Sequence, residues 1–412
     1  MSSAEGGGPQ QRLTPEIEED LRAPLDIDHL GAFAQATAHD LAVHRRAREL
    51  VAPMADELAA AWHTADYPVH LVQQVAEAGL ITDGVEVPGM ERLSPLAAGF
   101  VALEISRVDG SLAAACAVQG GLALRAVADL GSPVQREQYL RRLATGELLG
   151  AFALTEPDHG SDSVALATTA RRDGDGWTLN GQKKWIGNGS GGGVTVVWAR
   201  DDDGAVRGFL VDQQAPGYSA VPITQKGALR GIHQSLITLD ECRVPDEALL
   251  PGARSFADAA AVLIATRVNV GWSALGHAVA LFETALRYAR SRVQFGRPLG
   301  AQQMVQERLA QMLESITSMQ LQAAAVARAQ EAGTMTPTQA SMLKYHNTRA
   351  ARRVAQIARD MLGGNGILLE HGAIQHVADI EALHTYEGTE SMQALLLGRE
   401  LTGVSAFGWA GS

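Results

Sequence analysis

Few side chains in this sequence stand at spacings that do chemistry, and most familiar catalytic arrangements are missing. Ser190 lies in Asn188-Gly189-Ser190-Gly191-Gly192, where asparagine replaces the first glycine of a nucleophile elbow, so the segment reads as a flexible loop. Glu370, His371 and His376 are not spaced to place two imidazoles on one helical face. A zinc hydrolase is therefore excluded, no metal site is expected, and these histidines read as satisfied surface residues. Gly363-Gly364-Asn365-Gly366 follows a helical stretch and does not lie between a strand and a helix, so taken alone it is a helix C-cap and not a dinucleotide fingerprint. Cys116 and Cys242 fit no metal or redox spacing; both read as small core residues of a chain from a reducing compartment, the bacterial cytoplasm by default.

The elements that must position any site fall into three blocks. Residues 1–12 are Ser, Gly, Gln and Pro without a signal or transit pattern and read as a disordered leader. Residues 13–147 are helical, with Thr14 and Ser132 as N-caps before Pro15 and Pro133, and Gln135 completing a capping box with Ser132. Over 148–254 the period changes to strands at 165–172, 177–179, 182–186, 194–199 and 206–211. Asp175-Gly176, Asn180-Gly181 and Asp203-Gly204 punctuate them as hairpin turns, which predicts an antiparallel barrel or sandwich. Helices return over 255–404, where Val305, Leu309, Met312, Ile316 and Met319 form a packing seam, and Thr336, Pro337 and Gln339 open a helix that closes at Gly363-Gly364. Residues 405–412 read as a tail.

With 412 residues, 46% hydrophobic and 19% charged, the chain has ample material for a core and is no disordered polyelectrolyte. Its net charge of −12 argues against a surface built for nucleic acid or anionic lipid. No uninterrupted apolar run approaches bilayer length, so membrane insertion is not expected.

Five segments in order change the judgement on function: Phe152-Ala153-Leu154-Thr155-Glu156-Pro157 continuing to Gly160-Ser161-Asp162; Trp185-Ile186-Gly187-Asn188; Arg292 with Gln294-Phe295-Gly296; Leu362-Gly363-Gly364-Asn365-Gly366; and Tyr386-Glu387-Gly388-Thr389. Together they resemble the acyl-CoA dehydrogenases over nearly the whole chain after the leader. The stretch 358–367 and the ending Leu397-Gly398-Arg399 through Thr402-Gly403 are most similar to the glutaryl-CoA dehydrogenases and the plant peroxisomal short-chain acyl-CoA oxidase.

The resemblance implies a mainly α fold with a central β domain, an N-terminal helical domain and a C-terminal four-helix domain. It also implies bound FAD and a homotetramer. Flavin contacts are implied at Phe152, Leu154, Thr155, Gly160, Ser161, Trp185, Gly187 and Thr389. Arg292, Phe295, Gln303, Gly363 and Gly364 are implied to reach the FAD of a neighbouring subunit. A hydroxyl and strand-edge amides suit the polar rim of a flavin, indole covers its face, and glycines admit a pyrophosphate. Asp360 and Ser391 depart from many relatives.

Glu387 is implied as the catalytic base, taking the proton beside a thioester carbonyl. A free glutamate, with pKa about 4.3, is too weak for this, so it must be desolvated in an apolar pocket, which Tyr386 and the following leucines suit. Some relatives place the base just before an arginine matching Arg267; Thr266 stands there and cannot serve. Substrate contacts are implied at Ser161, Ala113, Arg267, Tyr386 and Gly388.

The expected reaction is dehydrogenation of a short or medium acyl-CoA thioester, with electrons passed to an electron-transferring flavoprotein. The alternatives are an oxidase using oxygen, an acyl-carrier-protein thioester dehydrogenase, and a non-catalytic binding protein that keeps the fold. Ala113 stands where glutaryl-CoA dehydrogenases carry an arginine for the distal carboxylate, so glutaryl-CoA is not the expected substrate. Gly187 replaces a threonine usual in dehydrogenases, and the missing side chain is expected to open space for oxygen near the reduced flavin.

Overall fold

Helix boundaries follow local chemistry wherever the sequence carries a cap. Ser132 Oγ accepts from the Gln135 amide at 3.2 Å and Gln135 Oε1 accepts from the Ser132 amide at 2.8 Å, opening Pro133–Ala144. Thr336 and Gln339 repeat the arrangement at the start of Pro337–Met361. The computed structural model describes residue 25 and residues 27–406, so the leader, the Thr14-Pro15 cap and most of the tail lie outside the described residues.

The N-terminal helices run from Ala38–Val51 to Pro133–Ala144. One of them, Gly110–Leu130, is widened into a π-helix over Ala117–Leu124. Such widening often marks a functional site, because it displaces side chains from their regular stacking. The Gly110–Leu130 and Phe256–Ser291 helices are long and apolar enough to cross a membrane by length and composition, and 72% and 67% of their most apolar windows are buried inside the protein.

Seven strands form one curled sheet: β1 (Gly150–Ala153), β2 (Thr169–Asp173), β3 (Gly176–Gly187), β4 (Val194–Arg200), β5 (Val206–Asp212), β6 (Tyr218–Pro222) and β7 (Gln234–Pro245). The order is β1-β4-β2-β3-β7-β6 with β5 beside β4. Pairing is mostly antiparallel, but β1 and β2 each lie parallel to β4. Two turn assignments change. The β2–β3 turn is Gly174-Asp175, one residue early, with Gly174 at positive φ. Asn180-Gly181 is no turn: β3 runs straight through it, and the register against β7 slips between Leu179 and Gly181. Gly181 has φ +146°, and a Cβ there would lie 2.6 Å from Thr168 Oγ1, so the glycine serves a bulge. Residues 163–165 form a 3-10 turn, and β2 starts only at Thr169.

The C-terminal helices Phe256–Ser291, Gln303–Glu331, Pro337–Met361 and Ala373–Thr385 share a core with the N-terminal Pro95–Val108 helix. Met312, Ile316 and Met319 are buried in it, and Val305 and Leu309 pack at its edge. Gly99 lets two helices meet: a Cβ there would overlap the Trp272 ring at 2.2 Å. Both cysteines are buried and free. The histidine reading needs correction. His376 is buried with its Nδ1 2.8 Å from His277 Nδ1, because Ala373–Thr385 turns that face inward against the Phe256–Ser291 helix. The loop of Ser190 is held rather than loose: Gln213 Oε1 accepts from the amides of Gly192 and Gly193, and its Nε2 donates to Asn188 O.

Candidate active site

Glu387 follows the Ala373–Thr385 helix, whose C-cap is Tyr386. It adopts φ +56°, a left-handed conformation that costs about 1 kcal/mol or more for a non-glycine residue and persists only where neighbours enforce it. The enforcing groups come from two helices. Lys344 Nζ, fully buried on Pro337–Met361, donates to the carbonyls of Tyr386 and Gly388, on either side of Glu387. Gln393 Nε2 donates to Glu387 O at 3.0 Å and Gly388 O at 3.1 Å. Gly388 is itself at φ +84°.

The Glu387 carboxylate is held on one side only. Thr266 Oγ1 donates to Oε1 at 3.2 Å, while Oε2 is buried with no hydrogen-bond partner. Burial pushes the carboxyl above its ordinary value; the Arg267 guanidinium, the Lys344 ammonium and the Thr266 hydroxyl pull it down. Burial likewise pushes the Lys344 ammonium well below its usual value, with Glu387 opposing and Arg267 reinforcing. The pocket expected to be apolar therefore also holds the buried basic side chains of Arg267 and Lys344. The leucines after Glu387 do not close it, for Gln393 is the one buried residue of Glu390–Thr402 and Leu395 is 37% exposed. Tyr386 packs against both helical cores, and Arg267 is buried with Nη1 donating to Ser341 Oγ at 3.1 Å.

The π-segment connects this carboxylate to β3. A Cβ on Gly121 would lie 3.1 Å from Thr266 Cγ2, and a Cβ on Gly187 would lie 3.1 Å from Val118 Cγ2 and 3.3 Å from Ile232 Cδ1. Gly187 thus does not open space: Val118 and Ile232 fill what the missing side chain vacates, which corrects the expectation of an oxygen entry there.

On the β side, the structure brings Leu154, Thr155 and Trp185 together. The Lys184 amide donates to Thr155 O at 2.8 Å, and Lys183 Nζ donates to Leu154 O at 3.0 Å and Glu156 Oε1 at 2.8 Å. Trp185, at φ +67°, leaves its indole 49% exposed. Gly160 has open space where a Cβ would stand, and Ser161 is exposed beside it. An exposed indole, a half-buried threonine and an open glycine fit the face and rim of a flavin. The rings and side chains of Phe152 and Leu154 turn into the core, Phe152 against Trp198 at 5.8 Å, so only their backbone is available to a ligand. Thr389 Oγ1 accepts from the Met392 amide at 3.2 Å as a helix N-cap, leaving its O–H to donate elsewhere.

Arg292, Phe295, Gln303, Gly363 and Gly364 gather at the other end of the long helix and are all exposed, Phe295 at 96%. Asn365 Nδ2 bonds Tyr288 Oη at 3.1 Å, joining the glycine turn to that helix. No Cβ on Gly363 or Gly364 would touch this chain, which suits a cradle for a group approaching from outside. Ala113 is buried and lines a cavity discussed below. Lys344, Gln393 and Thr266 are the site residues that sequence reading did not assign. The signal for Lys344 was its helical spacing from Ala340 and Ala351, on the face that carries the apolar residues inward.

Three acyl-CoA dehydrogenase family models match: the N-terminal domain over residues 37–147, the middle domain over 151–242 and the C-terminal domain over 256–402. The mouse mitochondrial short-chain specific acyl-CoA dehydrogenase is 32% identical over 346 residues, which is 81% of this chain and 83% of that protein. The structure of glutaryl-CoA dehydrogenase from Mycobacterium smegmatis superimposes with a TM-score of 0.90 at 38% identity, covering 93% of this chain and 99% of that one. A glutaryl-CoA dehydrogenase from the same organism in complex with FADH2 gives 0.88 at 34% identity, over 90% and 96%. With all three domain models matched in order and the fold shared with these relatives over most of its length, the chain belongs to the acyl-CoA dehydrogenase family and is an FAD-dependent oxidoreductase.

Proposed function

We propose that this enzyme converts a short acyl-CoA thioester to its trans-2-enoyl product, with Glu387 as the base. The observation that carries the reading is Glu387 itself: a buried carboxylate with one oxygen unpartnered, on a left-handed turn clamped from both sides. The C–H bond next to the thioester carbonyl breaks, and its proton goes to Glu387 Oε2. FAD, when bound, accepts the hydride that leaves the neighbouring carbon. Thr266 holds Oε1 so that the free oxygen faces the substrate, and Arg267 and Lys344 oppose the upward pull of burial on the carboxyl. Substrate entry expels the remaining water and strengthens the base.

An electron-transferring flavoprotein is the proposed electron acceptor, since Val118 and Ile232 occupy the space beside Gly187. The exposed group around Arg292, Phe295 and Gly363 is read as serving the FAD of a neighbouring subunit in a homotetramer. The two free thiols support the cytoplasm as its compartment. Anaerobic bleaching of the bound flavin by a panel of acyl-CoA thioesters, followed by air, tests the reading. Bleaching by short chains with slow recovery in air is expected; a flavin that no thioester bleaches would overturn it.

A further inference from the structure

Two polar side chains, Asp83 and Asn269, line a small cavity beside the Phe256–Ser291 helix that carries Thr266. A cavity of about 20 Å³, room for one water-sized group, is walled by Ile81, Ala98, Ala102, Ala113 and Ala117 and is otherwise apolar except for two side chains, Asp83 and Asn269. The same two residues line a larger hollow of about 320 Å³ on their other side, together with Arg92, Arg125 and Gln330. With Ala98 they form the partition that the two spaces share.

The partition lies next to the reacting end of the site. A Cβ on Gly121 would be 3.1 Å from Asp83 Oδ2 and 3.1 Å from Thr266 Cγ2, so the two groups are within twice that distance of each other. Thr266 in turn bonds Glu387. Asp83 and Asn269 thus stand close to Thr266 and Glu387, on the cavity wall that Ala113 shares.

The chemistry of the partition selects what can end there. Asn269 Nδ2 donates to Asp83 Oδ1 at 3.3 Å, and Arg125 Nη2 donates to Asp83 O at 2.7 Å and lies 3.6 Å from Oδ2. Arg125 Nε is buried with no partner. Asp83 holds φ +49°, so the loop spends backbone energy to aim this carboxylate inward. A substrate carboxylate would be buried beside the Asp83–Arg125 pair with no cation left to receive it. A substrate ammonium would find Asp83 already neutralised by Arg125. A methyl would leave the partition's polar atoms desolvated. A hydroxyl both donates to Asp83 and accepts from Asn269.

We infer that the acyl pocket is built for a short chain bearing a neutral hydroxyl at its distal carbon, with Asp83 and Asn269 as the groups that recognise it. This rests on the reading of Glu387 as base at the near end of the pocket. The test compares flavin reduction by butyryl-, pentanoyl- and hexanoyl-CoA with their terminally hydroxylated counterparts, in the FAD-loaded enzyme. At one chain length the hydroxylated thioester should win by about tenfold in kcat/KM, the worth of one good buried hydrogen bond. That ratio should fall toward one in Asn269→Leu, and likewise in Asp83→Gly, which keeps the left-handed turn without strain. Flavin absorbance of each variant reports whether it is folded. Unsubstituted chains winning at every length, or a preference that survives both substitutions, would overturn the inference while leaving Glu387 as base intact. No bleaching by any thioester would instead remove the reading of Glu387, and this inference with it.

Discussion

Thr266 Oγ1 lies 3.2 Å from Glu387 Oε1, so the helix position that carries the base in some relatives and the loop position proposed to carry it here face each other across one hydrogen bond. Threonine holds no transferable proton acceptor at this pH, which leaves Glu387 alone in that role. Glu387→Gln should keep its FAD, because Lys344 and Gln393 hold the loop through its main chain. Thioester-driven flavin reduction should fall by about two to four orders of magnitude. Stopped-flow reduction within tenfold of the parent would reject the assignment.

Lys344 acts on the base in two ways, through its hydrogen bonds to Tyr386 O and Gly388 O and through its charge. Replacing it by methionine keeps the volume and removes both. A cation near a carboxylate favours the ionised form, so its loss raises the pKa of Glu387. The rising limb of the reduction rate against pH should then move to higher pH. A merely structural role for Lys344 would lower the rate at all pH values and leave that limb in place.

Glutaryl-CoA should be a poor substrate despite the 38% identity to a glutaryl-CoA dehydrogenase. Ala113 supplies no cation at the cavity wall, and the Arg125 guanidinium nearby is already paired with Asp83. A buried carboxylate without a partner loses several kcal/mol, so kcat/KM should lie about a hundredfold or more below that for butyryl-CoA. Comparable values for the two thioesters would contradict this placement.

Gly187→Thr should leave the oxygen reactivity of the reduced enzyme unchanged and lower its stability. The added side chain meets Val118 and Ile232 at 3.1 and 3.3 Å, so it overpacks the wall instead of sealing a channel, at about 1–3 kcal/mol. Thermal unfolding and the rate of reoxidation in air measure the two effects. A reoxidation rate that drops sharply in the variant would restore the oxygen-entry reading.

How much of this could be read in advance depended on the range of the forces involved. Caps at Ser132 and Thr336 were legible because both partners lie three residues apart. Asn180-Gly181 misled because a bulge and a hairpin turn ask for the same permissive backbone; the distinction lies in β7, more than fifty residues away. Glu387, Trp185 and Thr155 came from motifs whose order along the chain is distinctive. Lys344 and Asp83 sit in no motif, and their roles appear only when the Pro337–Met361 helix and the 82–84 turn are packed against the base and the π-segment.

A buried acid joins the three parts of the chain and should set their pH dependence. Asp379, on Ala373–Thr385, accepts through Oδ1 from Trp62 Nε1 at 3.0 Å and from the Leu229 amide at 2.6 Å, while Oδ2 is buried with no partner. Burial pushes its pKa up to about 7, with the Asp109 charge adding to the shift and the Leu229 and Trp62 hydrogen bonds and Lys226 opposing it. Burial also raises Asp109 to about 6. The folded state thus binds these protons more tightly than the unfolded chain. Stability from them is full below the unfolded value near 3.8 and is lost as pH rises through about 6 to 7. Asp379→Asn keeps an acceptor for Trp62 and Leu229 and cannot ionise. Its melting temperature should therefore exceed that of the parent by a few degrees at pH 8, with the difference shrinking as pH falls and vanishing only below the unfolded value near 3.8. A variant less stable than the parent at pH 8 would show that the ionised carboxylate is what holds the junction together.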